Sequence, residues 1–123
     1  MDALAAFIYA RQLVSEDLST EEIRRRADLS RSCLLRLIDD LDRVGSDDDD
    51  ERVQSVFYEA GKLHFANELR WWFRLLYQVL LLQDDGPRLG QFTRIMTPCW
   101  IQDRIRSTME DHWAAKGRLA CLD

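Results

Sequence analysis

Apolar residues recur along this chain at helical spacing. Leu4, Phe7, Ile8 and Val14 fall on one stripe with a period of about 3.6 residues, which predicts a first helix as far as about Ser15. Ser19 or Thr20 then caps a second helix, with Glu21 and Glu22 in its first turn, where the aligned peptide dipoles favour acids. Leu34, Leu37, Ile38 and Leu41 recur at i, i+3, i+4 and i+7 and give that segment one apolar face as far as Val44. Gly45-Ser46 stops it. After the acidic run Asp47 to Glu51, Val53, Val56 and Phe57 predict a short helix that ends near Gly61.

The segment from Leu63 to Leu82 differs, because apolar residues occupy every side of its helical wheel. Such a helix either spans a membrane or is buried at the centre of a bundle. Glu68, Arg70 and Arg74 lie inside it and make a lone span costly, so a central core helix is expected. Asp84 to Pro87 reads as a turn, followed by a short helix over about Gln91 to Met96. Pro98 suits the first turn of a last helix, running from Trp100 to roughly Ala115 with Ile101, Ile105, Met109 and Trp113 on one stripe. No internal repeat or long linker interrupts the pattern.

Composition narrows the class. A length of 123 residues fits one domain over 1–123. With 46% hydrophobic and 32% charged residues, the chain is too apolar for disorder and too interspersed for a membrane span. The scarcity of breakers, 5 Gly and 2 Pro with no proline before Pro87, argues for an all-α domain. The net charge of −5 argues against nucleic acid or an anionic membrane as the main partner. Cys33, Cys99 and Cys121 lack CxxC spacing and read as reduced thiols of a cytosolic or nuclear protein. MDALAAFIYARQ has no basic region of a secretory signal, and the segment from Trp113 onward is too polar for a tail anchor.

Catalytic chemistry is not expected. Asp47 to Asp50 lacks the alternation and glycine of a calcium loop, and His64 and His112 have no partner at ligand spacing. Cys99 with His112 is a poor nucleophile–base pair. The expectation is a non-enzyme without metal or cofactor.

Three stretches carry a family resemblance, the third more weakly. Val56-Phe57-Tyr58-Glu59-Ala60-Gly61, then Leu63-His64-Phe65-Ala66-Asn67 and the apolar helix, resembles the first homology motif of the Bcl-2 apoptosis regulators. Pro98-Cys99-Trp100-Ile101-Gln102-Asp103 is similar to the second motif, and Ile23 to Asp28 shares the skeleton of the third. The resemblance implies a Bcl-2-like bundle whose amphipathic helices wrap a hydrophobic central helix. It further implies an anti-apoptotic protein of the divergent viral type, which sequesters pro-apoptotic proteins by binding their BH-3 (Bcl-2 homology-3) helix in a groove.

On that resemblance, Leu34, Ile38 and Leu41 form one groove wall and Val53, Val56 and Phe57 the other. Phe65 lies at the base, Ala66 is the small residue that lets a ligand helix approach, and Asn67 or Arg70 answers the ligand aspartate. The family's arginine falls on neutral Asn67, which implies a narrower or weaker ligand range. The same reading implies a cytoplasmic protein that reaches the mitochondrial surface through its partners, homodimerisation through the apolar groove, no nucleic acid and no stable membrane insertion.

The alternative is a helix-turn-helix DNA-binding regulator. Thr20-Glu21-Glu22-Ile23, Ala27 to Ser32 and Leu35-Arg36-Leu37-Ile38 are similar to that motif in winged-helix repressors. Asp39, Asp40 and Asp42, running on into four more aspartates, would repel phosphate from its recognition helix.

Overall fold

Local capping sets where three of the six described helices begin. The computed structural model describes residues 3–110, which form six α-helices and no strand. Helix α1 covers Ala3–Ala10 and stops short of Ser15, because Gln12 turns the chain through a left-handed φ of 56°. That turn drops Leu13 into the core. Its carbonyl accepts from the Trp71 indole at 2.7 Å, an anchor far along the chain that the local pattern does not contain.

Helix α2, Thr20–Leu41, is capped by the Ser19 hydroxyl, which accepts from the Glu22 N–H at 3.2 Å. It is one unbroken helix of 22 residues, so the turn that a helix-turn-helix needs between Ala27 and Leu35 is absent. Helix α3, Asp50–Phe65, is capped by Asp49, whose carboxylate accepts from the Arg52 N–H at 2.8 Å. Gly61 does not end it. The remaining helices are α4, Leu69–Leu81; α5, Leu89–Met96; and α6, Pro98–Met109, with Pro98 in the first turn as expected. Trp113 and the predicted end of the last helix lie outside the described residues, as does Cys121.

The single central helix expected over Leu63 to Leu82 is in fact two helices. The chain leaves helical geometry at Glu68, with φ −136° and ψ 40°, and re-enters at Leu69. Packing explains the break. In a continuous helix Gly61 and Trp72 would be about 16 Å apart along the axis. Folding back instead lays the Trp72 indole directly over Gly61, where a β-carbon would collide with it. The indole N–H donates to the Phe57 carbonyl at 2.9 Å, and its ring lies nearly parallel to Phe65 at 6.2 Å. Gly61 is therefore a close-contact glycine inside a helix.

Helices α2 and α3 pack side by side, joined by the short acidic connection. α1 and α6 lie against α2, α4 packs on α3 and α6, and α5 on α3 and α6. Leu4, Ile8, Leu34, Leu37, Phe57, Trp72, Leu75, Leu76 and Ile101 fill the core. Gly90 fastens α5 to α3: a side chain there would strike the Asp50 carbonyl, and its N–H donates to the Gln54 side chain at 2.8 Å. The Gln102 amide reaches across to the Ile38 carbonyl at 2.8 Å and to Asp42 at 2.7 Å, tying α6 to the end of α2.

Cys33 is a buried free thiol, whose pKa is pushed up by burial and partly offset by a hydrogen bond to the His64 backbone. Among the described residues no helix is long and apolar enough to cross a membrane.

Candidate functional site

The residues named for a ligand-helix groove lie mostly inside the molecule. Leu34, Leu41, Val53, Phe57 and Phe65 are at most 1% exposed, and Ile38 is 8% exposed. They meet one another as the core between α2 and α3, so a ligand helix would reach them only after those helices separated. Their helical stripe is real, but this chain's own helices already cover it. Val56 is half-buried and, with Val53, borders a shallow depression rimmed by Asp40, Arg43, Asp48 and Arg52. Ala66, Asn67 and Arg70 are exposed at the corner between α3 and α4.

Beside that corner, Phe65 and Glu68 form a cleft with the N-terminal half of α2. Leu18, Glu22, Arg25, Arg26 and Leu29 come from one face of α2 and the residues just before it; Phe65 and Glu68 come from the corner. The space between them is about 260 Å³. The spacing 22, 25/26, 29 places these side chains one above another along α2, with Leu18 just before its start.

Arg26 organises the cleft wall. Its guanidinium carbon sits 4.6 Å above the Trp71 ring and 5.8 Å from the Phe65 ring, a double cation–π contact. One terminal nitrogen donates to Glu68 at 3.1 Å. The other is buried without a hydrogen-bond partner. Phe65 and Trp71 also pack against each other at 5.0 Å. Sequence reading placed Phe65 at the base of the ligand-helix groove and did not single out Glu22, Arg25 or Arg26 as site residues; of the three consecutive arginines, only Arg26 lies over the aromatic pair.

Charge is unevenly spread. Residues 39–51 contain eight acids and a single base, Arg43. This stretch is largely engaged within the fold: Arg43 pairs with Asp39 and Asp40, Arg52 with Asp48, Arg94 with Asp50 and Arg88 with Glu51. Outside it, basic side chains outnumber acidic ones. Arg24, Arg25 and Arg70 are exposed and take no part in an ion pair among the described residues. The overall charge of −5 thus belongs to one end of the α2–α3 pair and says little about the other.

A second depression, of about 350 Å³, lies between Val44–Ser46 and the α5–α6 corner and includes Thr93, Arg94, Thr97 and Pro98. Its lining presents one cation, and that is already paired with Asp50 at 2.9 Å. No cluster of three metal-ligating side chains occurs among the described residues.

Comparison with known proteins gives one consistent likeness. The chain is 40% identical over 93 residues to the lysine–tRNA ligase of Roseobacter denitrificans, a match covering 75% of this chain and 17% of the ligase. It is 36% identical over 59 residues to the lysine–tRNA ligase of Rickettsia prowazekii and 40% identical over 60 residues to that of Rickettsia rickettsii, each match covering 48% of this chain and 11% of the ligase. The chain therefore spans only a small part of the relatives it matches. No family model and no solved structure matches it.

Proposed function

We propose that this chain is a helical unit of the lysine–tRNA ligase type that contacts tRNA and leaves the aminoacylation chemistry to other parts of such an enzyme. The observation that carries this reading is the 40% identity over 93 residues with the Roseobacter ligase, which extends over three-quarters of the chain. The cleft chemistry supports it. Arginine supplies 15 of the 17 basic residues, and a guanidinium both forks onto phosphate and stacks on flat rings. Arg25 stands exposed at the cleft, and Arg24 and Arg70 are exposed on α2 and α4, outside the acidic stretch of residues 39–51. A tRNA backbone meeting them would release counterions, which makes binding steeply salt-dependent.

The test is fluorescence anisotropy of a labelled lysine-accepting tRNA transcript titrated with the chain at several salt concentrations. Micromolar or tighter binding near 50 mM salt is expected, weakening about 10-fold or more by about 200 mM. The double substitution Arg24→Glu/Arg25→Glu should weaken it further and flatten the salt slope. Binding no tighter than to a DNA duplex of equal length would refute the reading. Saturable binding of a BH-3 peptide, with no binding of tRNA, would instead favour the groove reading.

A further inference from the structure

We infer, resting on the tRNA reading above, that the cleft between α2 and the α3–α4 corner receives an unpaired guanine base. Two charged groups border this cleft and stay open to solvent. Glu22 and Arg25 are one turn apart on α2, border the same cleft, are both exposed, and take part in no ion pair among the described residues. Their carboxylate and guanidinium are thus presented together, each with its hydrogen-bonding edge open. Beside them the lining is apolar: Leu18 and Leu29 on the α2 side are partly exposed, with Phe65 buried beneath.

A carboxylate beside a guanidinium over an apolar floor selects among the four bases. Guanine alone presents two adjacent N–H donors, N1–H and the N2 amino group, next to a carbonyl acceptor at O6. Glu22 accepts from both donors with its two oxygens, while Arg25 donates to O6. Adenine and cytosine offer one donor beside a bare ring nitrogen, so one carboxylate oxygen would face a lone pair. Uracil offers a single N–H between two carbonyls, with the same mismatch.

Arg26 is already committed, stacked on Trp71 and bonded to Glu68, and serves as the fixed wall. Glu68 sits in the non-helical break, so its carboxylate closes the cleft from the corner side. Recognition of RNA through a splayed-out base, with apolar contact on its faces and hydrogen bonds on its edge, is the usual route to specificity in single-stranded segments.

The experiment uses short, uridine-rich single-stranded RNAs that carry one central guanine, inosine, adenine or cytosine, titrated against the whole chain by anisotropy at one fixed salt. Guanine should bind about tenfold more tightly than adenine or cytosine. Inosine lacks the N2 amino group and should lose several-fold. Glu22→Gln should erase the guanine preference, because the amide NH₂ then faces a guanine donor where a carboxylate oxygen accepted, with the fold checked by circular dichroism. Equal binding of all four strands, with tRNA still bound, overturns this inference and leaves the tRNA reading standing. A guanine preference that survives Glu22→Gln also overturns it. Failure to bind any RNA removes both.

Discussion

Gly61→Ala sets two physical effects against each other, and the structure decides the sign. Gly61 lies inside α3, where alanine is favoured over glycine by about 1 kcal/mol through backbone entropy. On propensity alone the variant gains stability. The new β-carbon, however, falls on the Trp72 indole, which is fully buried and fixed by its hydrogen bond to the Phe57 carbonyl at 2.9 Å. Forcing a methyl group into a filled core costs roughly 1–3 kcal/mol. Pulling the indole from its acceptor adds about 1 kcal/mol. The net expectation is a loss of about 1–3 kcal/mol. Urea denaturation followed by tryptophan fluorescence measures it as a lower midpoint with an unchanged slope. Trp72→Phe provides the control: in that background Gly61→Ala should cost less, because the smaller ring leaves room for the methyl group. A neutral or stabilising Gly61→Ala in the otherwise unaltered chain would refute the account of why the expected central helix breaks.

Two further substitutions probe local features. Leu82 closes α4 in left-handed geometry, with φ 58°, while its side chain is 54% exposed. Leu82→Gly should therefore raise stability by up to about 1 kcal/mol, read as a higher thermal midpoint, where the same change inside a helix would lower it. Asp84 accepts from Arg74 at 3.0 Å and Gln78 at 2.7 Å, which holds its carboxyl below the usual carboxylate value of 3.8. A depressed folded-state pKa contributes stability that is fully present above 3.8 and lost as pH falls through the folded value. Asp84→Asn should remove that acid-side dependence, and urea midpoints measured at neutral pH and below pH 3.8 would show the slope flatten.

Local signals were the legible part of this fold. Ser19 with Glu21 and Glu22 marked the start of α2, the Leu34–Leu41 stripe marked its buried face, and Pro98 marked the start of α6. Each depends on neighbours within a turn or two. The features that eluded the pattern depend on distant contacts. Nothing between Ala66 and Glu68 is a breaker by composition, and the chain turns there because Trp72 packs back on Gly61 and Phe65. Gly61 misled in the opposite direction, since a glycine in a sequence suggests an end, whereas here it is the floor under an indole. Gln12 is not a residue that announces a left-handed turn, yet the anchoring of the Leu13 carbonyl by Trp71 stabilises one.

The candidate site was partly legible for the same reason. Phe65 stood out through its motif, but Arg25 and Arg26 join it and Glu68 only through tertiary contact, and Ala66, Asn67 and Arg70 do not line the cleft. Net charge pointed away from nucleic acid because it averages a local acidic stretch with an arginine-bearing face. The apolar stripe Leu34–Ile38–Leu41 has the same pattern whether a partner helix or the protein's own α3 covers it, so burial is what distinguishes the two.

Amide chemical-shift mapping of the isotopically labelled chain on addition of tRNA tests the central claim most directly. Shifts concentrated at residues 18–29 and 65–71 are expected, saturating with the anisotropy curve and fading as salt is raised. Shifts confined to the α5–α6 corner, or a spectrum unchanged at saturating tRNA, would contradict it.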